Sequence, residues 1–153
     1  MRKLLSLALS AGIALSVYQA NVLAKDGHGS LIVKISKLKN DKGNVRVAVY
    51  NTQDSYDAEK GSGDSQKACA KAVAEIKSNE AQCTIDDLAY GDYALKFFHD
   101  EDKSGKFYKN FVGIPKVEYG FSNNAKGHFG PASFEQAKFK LDKPSIEMNL
   151  EAQ

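Results

Sequence analysis

HDEDKSGKFYKNFVGIPKVEYGFSNNAKGHFGPASFEQA, residues 99–137, governs how the rest of the chain is read. It joins an acidic loop, three glycine-rich turns and nearly half of the aromatic side chains, and all eight Phe fall between Phe97 and Phe139. A segment this rich in Gly, Asn and Asp ordinarily forms a solvated loop. Phe107, Phe111, Phe121, Phe129 and Phe134 give it apolar surface to bury, so it reads as a long, ordered crossover that carries the function.

The wording HDEDKSGKF, then GIPK, YGFSNNAKGHFGP and SFEQA, resembles the DUF2141 family of exported bacterial proteins, whose pattern is HDxNxNGxxD, GIPxExYGFSNNA and FGPPSFEDA. That family has no established biochemical activity. The resemblance implies compartment, fold and a candidate site rather than a reaction. Asp102 and Ser104 stand where the family writes Asn, and Lys109 or Tyr108 stands near its final Asp.

Working outward, the periodicity on both sides is two, as half-buried strands require. Leu31, Val33 and Ile35 share one face, Asn40-Asp41-Lys42-Gly43 reads as a turn, and Val45, Val47 and Val49 repeat the alternation. That pattern predicts an antiparallel hairpin over 30–52. Thr52 to Ser65 is polar, with a short helical turn over 54–59. Residues 66–77 fit a helical stripe (Cys69, Ala72, Val73, Ile76) and a strand (Ala70, Ala72, Ala74, Ile76) equally; the resemblance aligns this stretch with a strand, here 70–77. Cys83, Ile85 and Leu88 follow on the next strand, and Tyr90-Gly91-Asp92 is the bend that the family writes PPGxY. Tyr93, Leu95 and Phe97 begin another strand whose parity carries His99 inward. After the crossover, Ala137, Phe139 and Leu141 alternate with lysines, Asp142-Lys143-Pro144 turns the chain, and Ile146, Met148 and Leu150 alternate with polar residues. The expected fold is all-β, a seven-stranded antiparallel sandwich of immunoglobulin-like or prealbumin-like type.

The chain opens with Arg2 and Lys3, an apolar run broken by Ser6, Ser10, Ser16, Gln19 and Asn21, and the small-residue site Val22-Leu23-Ala24. This is the pattern of a cleaved export signal over 1–24, and it falls short of the roughly 20 apolar residues of a membrane span. It leaves one domain, residues 25–153, periplasmic or secreted. Of 21 basic and 19 acidic residues, removing Arg2 and Lys3 leaves 19 against 19. A balanced charge without a basic cluster excludes nucleic acid as a partner class and a polybasic membrane anchor. Cys69 and Cys83, in an oxidising compartment, are expected to form a disulfide. A tight hairpin about Ser78-Asn79-Glu80 would place Cys83 opposite Glu75 and require Cys69 to curl back.

Asp100, Asp102 and Ser104 alternate, Gly105 permits a sharp turn and the Lys106 carbonyl could complete a set of oxygen ligands for calcium. Phe111 stands where a bidentate Glu would close such a loop. The competing reading is an Asx-type turn made by the same residues. His99 and His128 invite a transition-metal reading, against which an inward His more often hydrogen-bonds loop backbone. No GxSxG setting, Cys–His pair or spaced acid pair points to catalysis. Tyr119, Phe121 and Phe129, with Ser122, Asn123 and Asn124, combine flat apolar area with directional polar groups that suit an envelope protein or polysaccharide. The same residues could instead cap the sandwich. Two function classes stay open: an exported non-enzymatic binding or structural protein using the 99–134 crossover, ordered or not by Ca2+, and a metal-dependent hydrolase using His99, Asp100, Asp102 and His128.

Overall fold

The computed structural model describes residues 27–58 and 66–153; the segment read as an export signal lies outside them. Nine strands form two open sheets. The first holds β4 (Ile76–Lys77), β5 (Glu80–Ala89), β1 (His28–Ser36) and β9 (Ser145–Glu151) in that order. The second runs β3 (Ala70–Ala74), β2 (Asn44–Tyr50), β6 (Gly91–Asp100) and β7 (Tyr119–Phe121), with β8 (Phe139–Leu141) also on β6. The two pieces β8 and β7 divide one edge of β6, taking Gly91–Tyr93 and Lys96–Phe98 respectively.

Leu31, Val33 and Ile35 of β1 and Val45, Val47 and Val49 of β2 are buried in one shared core. These two strands belong to different sheets, so the expected 30–52 hairpin does not form. β1 pairs β5 antiparallel and β9 parallel, while β2 pairs β3 and β6. The reason is visible in β2, whose second half is buried on both faces. Ala48 and Tyr50 back onto a second apolar cluster with Tyr56, Phe121, Phe134 and Ala137, and a strand covered on both sides belongs in the interior of a sheet. The parallel β1–β9 ladder also departs from an all-antiparallel sandwich. A short helix α1 (Gln53–Ala58) stands where a helical turn is expected, and α2 (Phe134–Ala137) is a single turn closed by a Ser133–Gln136 capping box.

The count rises from seven to nine for two local reasons. Residues 70–77 change sheets at Glu75, so that β3 pairs β2 and β4 pairs β5. Tyr119–Phe121 adds a strand within the crossover. The β4–β5 turn is a two-residue one at Ser78-Asn79, both with positive φ, which suits the twist of a hairpin. Asp41 receives the Ser78 and Asn79 amides at 2.9 and 2.6 Å, tying this turn to the β1–β2 connection.

Cys69 and Cys83 are separate thiols, which corrects the expected disulfide. The Cys69 amide donates to the Val49 carbonyl at the margin of one sheet, whereas Cys83 lies opposite Val33 in the other. Burial pushes the Cys83 thiol up to about 11 and raises that of Cys69, so neither is a ready thiolate near neutrality. Denatured, unreduced protein is expected to alkylate at both cysteines; a mass showing no alkylation would restore the bridge.

Gly43 sets the spacing between the β1–β2 connection and the end of β6. It has φ +73°, and a Cβ there would lie 2.0 Å from the Asp100 carbonyl oxygen. Gly113 has φ +86° with open space around it. Gly113→Ala is therefore expected to lose about 1 kcal/mol, the cost of a left-handed backbone alone, and Gly43→Ala clearly more, at least about 2 kcal/mol. Denaturant melts of the two variants check the order.

Candidate functional site

The crossover is fastened at its start by Asp100. This side chain is 1% exposed and accepts from Arg46 Nε at 2.5 Å, from the Ser104 amide at 3.1 Å and from the Gly105 amide at 2.8 Å. Asp102 accepts from the Ser104 amide and the Tyr108 hydroxyl. Hydrogen bonds from the Ser104 hydroxyl and amide lead in holding its carboxyl down to about 2. The Ser104 hydroxyl in turn accepts the Lys106 amide at 3.2 Å. The side-chain oxygens of Asp100, Asp102 and Ser104 are thus engaged in closing the loop, which takes the form of nested Asx-type turns. Phe111 does not approach this loop as a closing ligand; it is 99% exposed.

Beyond the loop, an aromatic ladder pins the crossover to the outer face of the second sheet. Phe107 meets Phe98 and Tyr119 edge to face at centroid distances of 5.6 and 5.8 Å, and Tyr119 meets Phe121 at 5.8 Å. Ser122 is completely buried, accepts the Leu95 amide at 2.9 Å and donates to the Ala137 carbonyl. Asn123 donates to the Lys138 carbonyl, and Asn124 both donates to the Asn149 carbonyl and accepts the Glu151 amide. Both asparagines have positive φ, a conformation Asn tolerates better than most residues. Of the six residues expected to form a binding surface, Phe121 and Ser122 are buried, Tyr119 is half-buried, and Asn123 and Asn124 spend their amides on the fold. Phe129 alone stands fully in solvent.

The accessible apolar groups lie elsewhere. Phe111, Val112 and Ile114 are 99, 62 and 59% exposed. They project from a turn that Asn110 locks, its side-chain oxygen accepting the Val112 and Ile114 amides at 3.0 and 2.9 Å. A cleft of about 360 Å3 opens beside Phe129, lined by Tyr56, Asp57, Lys96 and His128. Its base is rigid: Lys96 Nζ lies 3.8 Å from the Tyr56 ring centroid and donates to the Tyr56 carbonyl, while the Tyr56 hydroxyl donates to the Ala132 carbonyl. Burial, reinforced by Asp57, raises the Tyr56 phenol far above its ordinary value, so it remains protonated.

His99 and His128 do not converge. On β6, His99 pairs Val45 and faces the core, whereas Lys96 pairs Ala48 on the opposite face, where the His128 cleft lies. Asp100 shares that opposite face with Arg46. The four residues of the expected hydrolase constellation are therefore split across the sheet. The fully buried His99 instead places Nε2 2.6 Å from the Lys42 carbonyl and Nδ1 3.0 Å from Glu118 Oε2. Among the described residues, His99, Glu101 and Glu118 have ligand atoms within 4.8 Å of one another. Sequence reasoning placed His99 inward but passed over Glu101. The clue was parity: Glu101 lies two residues beyond His99 and repeats its direction.

Asp100→Asn weakens the attraction to Arg46 and leaves two amides facing a poorer acceptor. It is expected to lower stability by about 2–4 kcal/mol, since one charge of a largely buried pair is left behind. Chelator-stripped parent protein is expected to give the same thermal midpoint with and without millimolar calcium; a calcium-dependent rise abolished by Asp102→Asn would contradict the closed-loop description.

Searches of curated proteins and of solved structures find no match. A family model described as an uncharacterized protein conserved in bacteria matches residues 33–149, a span holding every strand but the ends of β1 and β9. The chain belongs to the DUF2141 family.

Proposed function

We propose that the protein is an exported, non-enzymatic binding module whose partner, an envelope protein, is engaged by the solvent-facing tip Phe111-Val112-Ile114 of the crossover. One observation carries this reading: a 99% exposed Phe sits on a turn whose backbone is fixed by Asn110. Exposed apolar side chains on an ordered loop have a contact to make, and a pre-ordered loop loses little entropy in making it. Phe129, beside its cleft, is a second contact of the same kind. Two packed, open sheets support placing the scaffold among immunoglobulin-like or prealbumin-like sandwiches, with the parallel β9 as a variation.

Export is part of the proposal, resting on Arg2, Lys3 and the Val22-Leu23-Ala24 site. Intact mass of protein recovered from the envelope is expected to begin at Lys25, and a mass retaining residues 1–24 would remove the export signal. For binding, a photo-crosslinking side chain replacing Val112 in intact cells is expected to yield one discrete protein adduct, absent when it replaces the exposed Lys140 and lost with Phe111→Ser and Ile114→Ser together. Those substitutions are expected to leave the melting midpoint unchanged. An adduct pattern identical at both positions, or none at position 112, would overturn the tip as the contact; adducts to polysaccharide alone would replace the partner class.

A further inference from the structure

We infer that His99, Glu118 and Glu101 form a binding site for one divalent transition-metal ion at the end of the inter-sheet core. A carbonyl oxygen can only accept, so the 2.6 Å contact between Nε2 and the Lys42 carbonyl fixes the proton on Nε2. In the neutral ring Nδ1 is then a lone pair, completely buried, and the group facing it at 3.0 Å is a carboxylate oxygen of Glu118. With the ring neutral, two lone pairs oppose each other at that distance, an arrangement that a proton or a metal ion between or beside them would satisfy.

The geometry around Nδ1 supplies the remaining ligands. Glu101 and Glu118 both bring a carboxylate oxygen within 4.8 Å of the imidazole and of each other, from which small side-chain rotations bring three atoms onto one ion at bond lengths of roughly 2.0–2.2 Å. A metal-bound histidine ordinarily donates its other N–H to a backbone carbonyl, which sets the tautomer and the ring orientation. Lys42 provides that carbonyl, and Gly43 lets it come so near. A Cβ at Gly43 would lie 2.0 Å from the Asp100 carbonyl oxygen and 2.6 Å from the Glu101 Cα. The backbone is therefore built to hold the histidine from behind, with Nδ1 turned toward the acids. Solvent reaches the group from the glutamate side: the His99 side chain is 0% exposed, Glu118 21% and Glu101 37%. Lys39 Nζ lies at the rim, 4.0 Å from Glu101 Oε1. One imidazole nitrogen with two carboxylates suits zinc, cobalt, manganese or iron(II) rather than calcium, which prefers an all-oxygen set. The site shares no residue with the exposed tip, so it stands or falls independently of the binding reading above.

The test is metal binding by the purified, chelator-stripped protein, followed by native mass spectrometry and titration calorimetry with Zn2+ and by the visible spectrum with Co2+. The parent protein is expected to take up one Zn2+, to melt at a higher temperature with it and to show cobalt ligand-field bands. Glu118→Gln and Glu101→Gln are each expected to weaken Zn2+ by about tenfold or more, whereas Asp102→Asn, outside the group, keeps the parent affinity. If Glu118→Gln fails to fold, the partly exposed Glu101→Gln decides alone. A parent protein that binds no Zn2+, or Zn2+ affinity untouched by the glutamine substitutions, would overturn the site and leave His99 as a buried hydrogen-bond partner of Glu118.

Discussion

The approach of Gly43 to the end of β6 is the constraint on which the rest of the molecule depends. Only a residue without a side chain lets the β1–β2 connection lie against Asp100 and Glu101. That contact is made where the chain leaves one sheet for the other. On one face of β6 it brings the Lys42 carbonyl onto His99; on the other, β2 carries Arg46 to Asp100. The crossover thus departs from a fixed point, because Asp100 is at once the last residue of β6 and the acceptor for the loop amides that follow.

From that point the crossover behaves as a third layer rather than a connection. Phe98, Phe107, Tyr119 and Phe121 form one run of edge-to-face contacts, each such pair adding about 0.5–1.5 kcal/mol beyond its buried area. Polar groups do as much for the backbone. Ser122 satisfies a buried amide and a buried carbonyl, and Asn124 bridges to β9 in the opposite sheet. Side chains of the YGFSNNA stretch that look suited to a ligand are suited to backbone for the same reason, a short reach with both donor and acceptor. What the fold leaves outside is the apolar tip near Phe111 and the Phe129 cleft.

Much of this was legible from alternation alone. Each of the strands around Leu31, Val45, Ile85, Leu95 and Ile146 lies where its period of two places it, and His99 faces inward as parity requires. Pairing was not legible, because Val45, Val47 and Val49 present the same apolar face whether they lie beside β1 or across from it. The signal for the second arrangement was the apolar content of the other face, Ala48 and Tyr50, which marks a strand covered twice. Of the acidic loop, the turn was legible from Asp100, Asp102, Ser104 and Gly105, but the partner of Asp100 was not, since Arg46 is distant in sequence. Glu118 likewise meets His99 only through the β6–β7 pairing.

The crossover is part of the cooperative fold, and native-state hydrogen exchange measures that directly. The Ser104 and Gly105 amides, bonded to Asp100, and the Leu95 amide, bonded to Ser122, should exchange only by openings nearly as costly as global unfolding. The Gly113 amide, whose bond to the Asn110 carbonyl lies within the exposed tip, should exchange far sooner than they do. Exchange at Ser104 and Gly105 as fast as at an unprotected loop amide would contradict the account, because the exposed tip would then be carried by a free chain rather than by an ordered support.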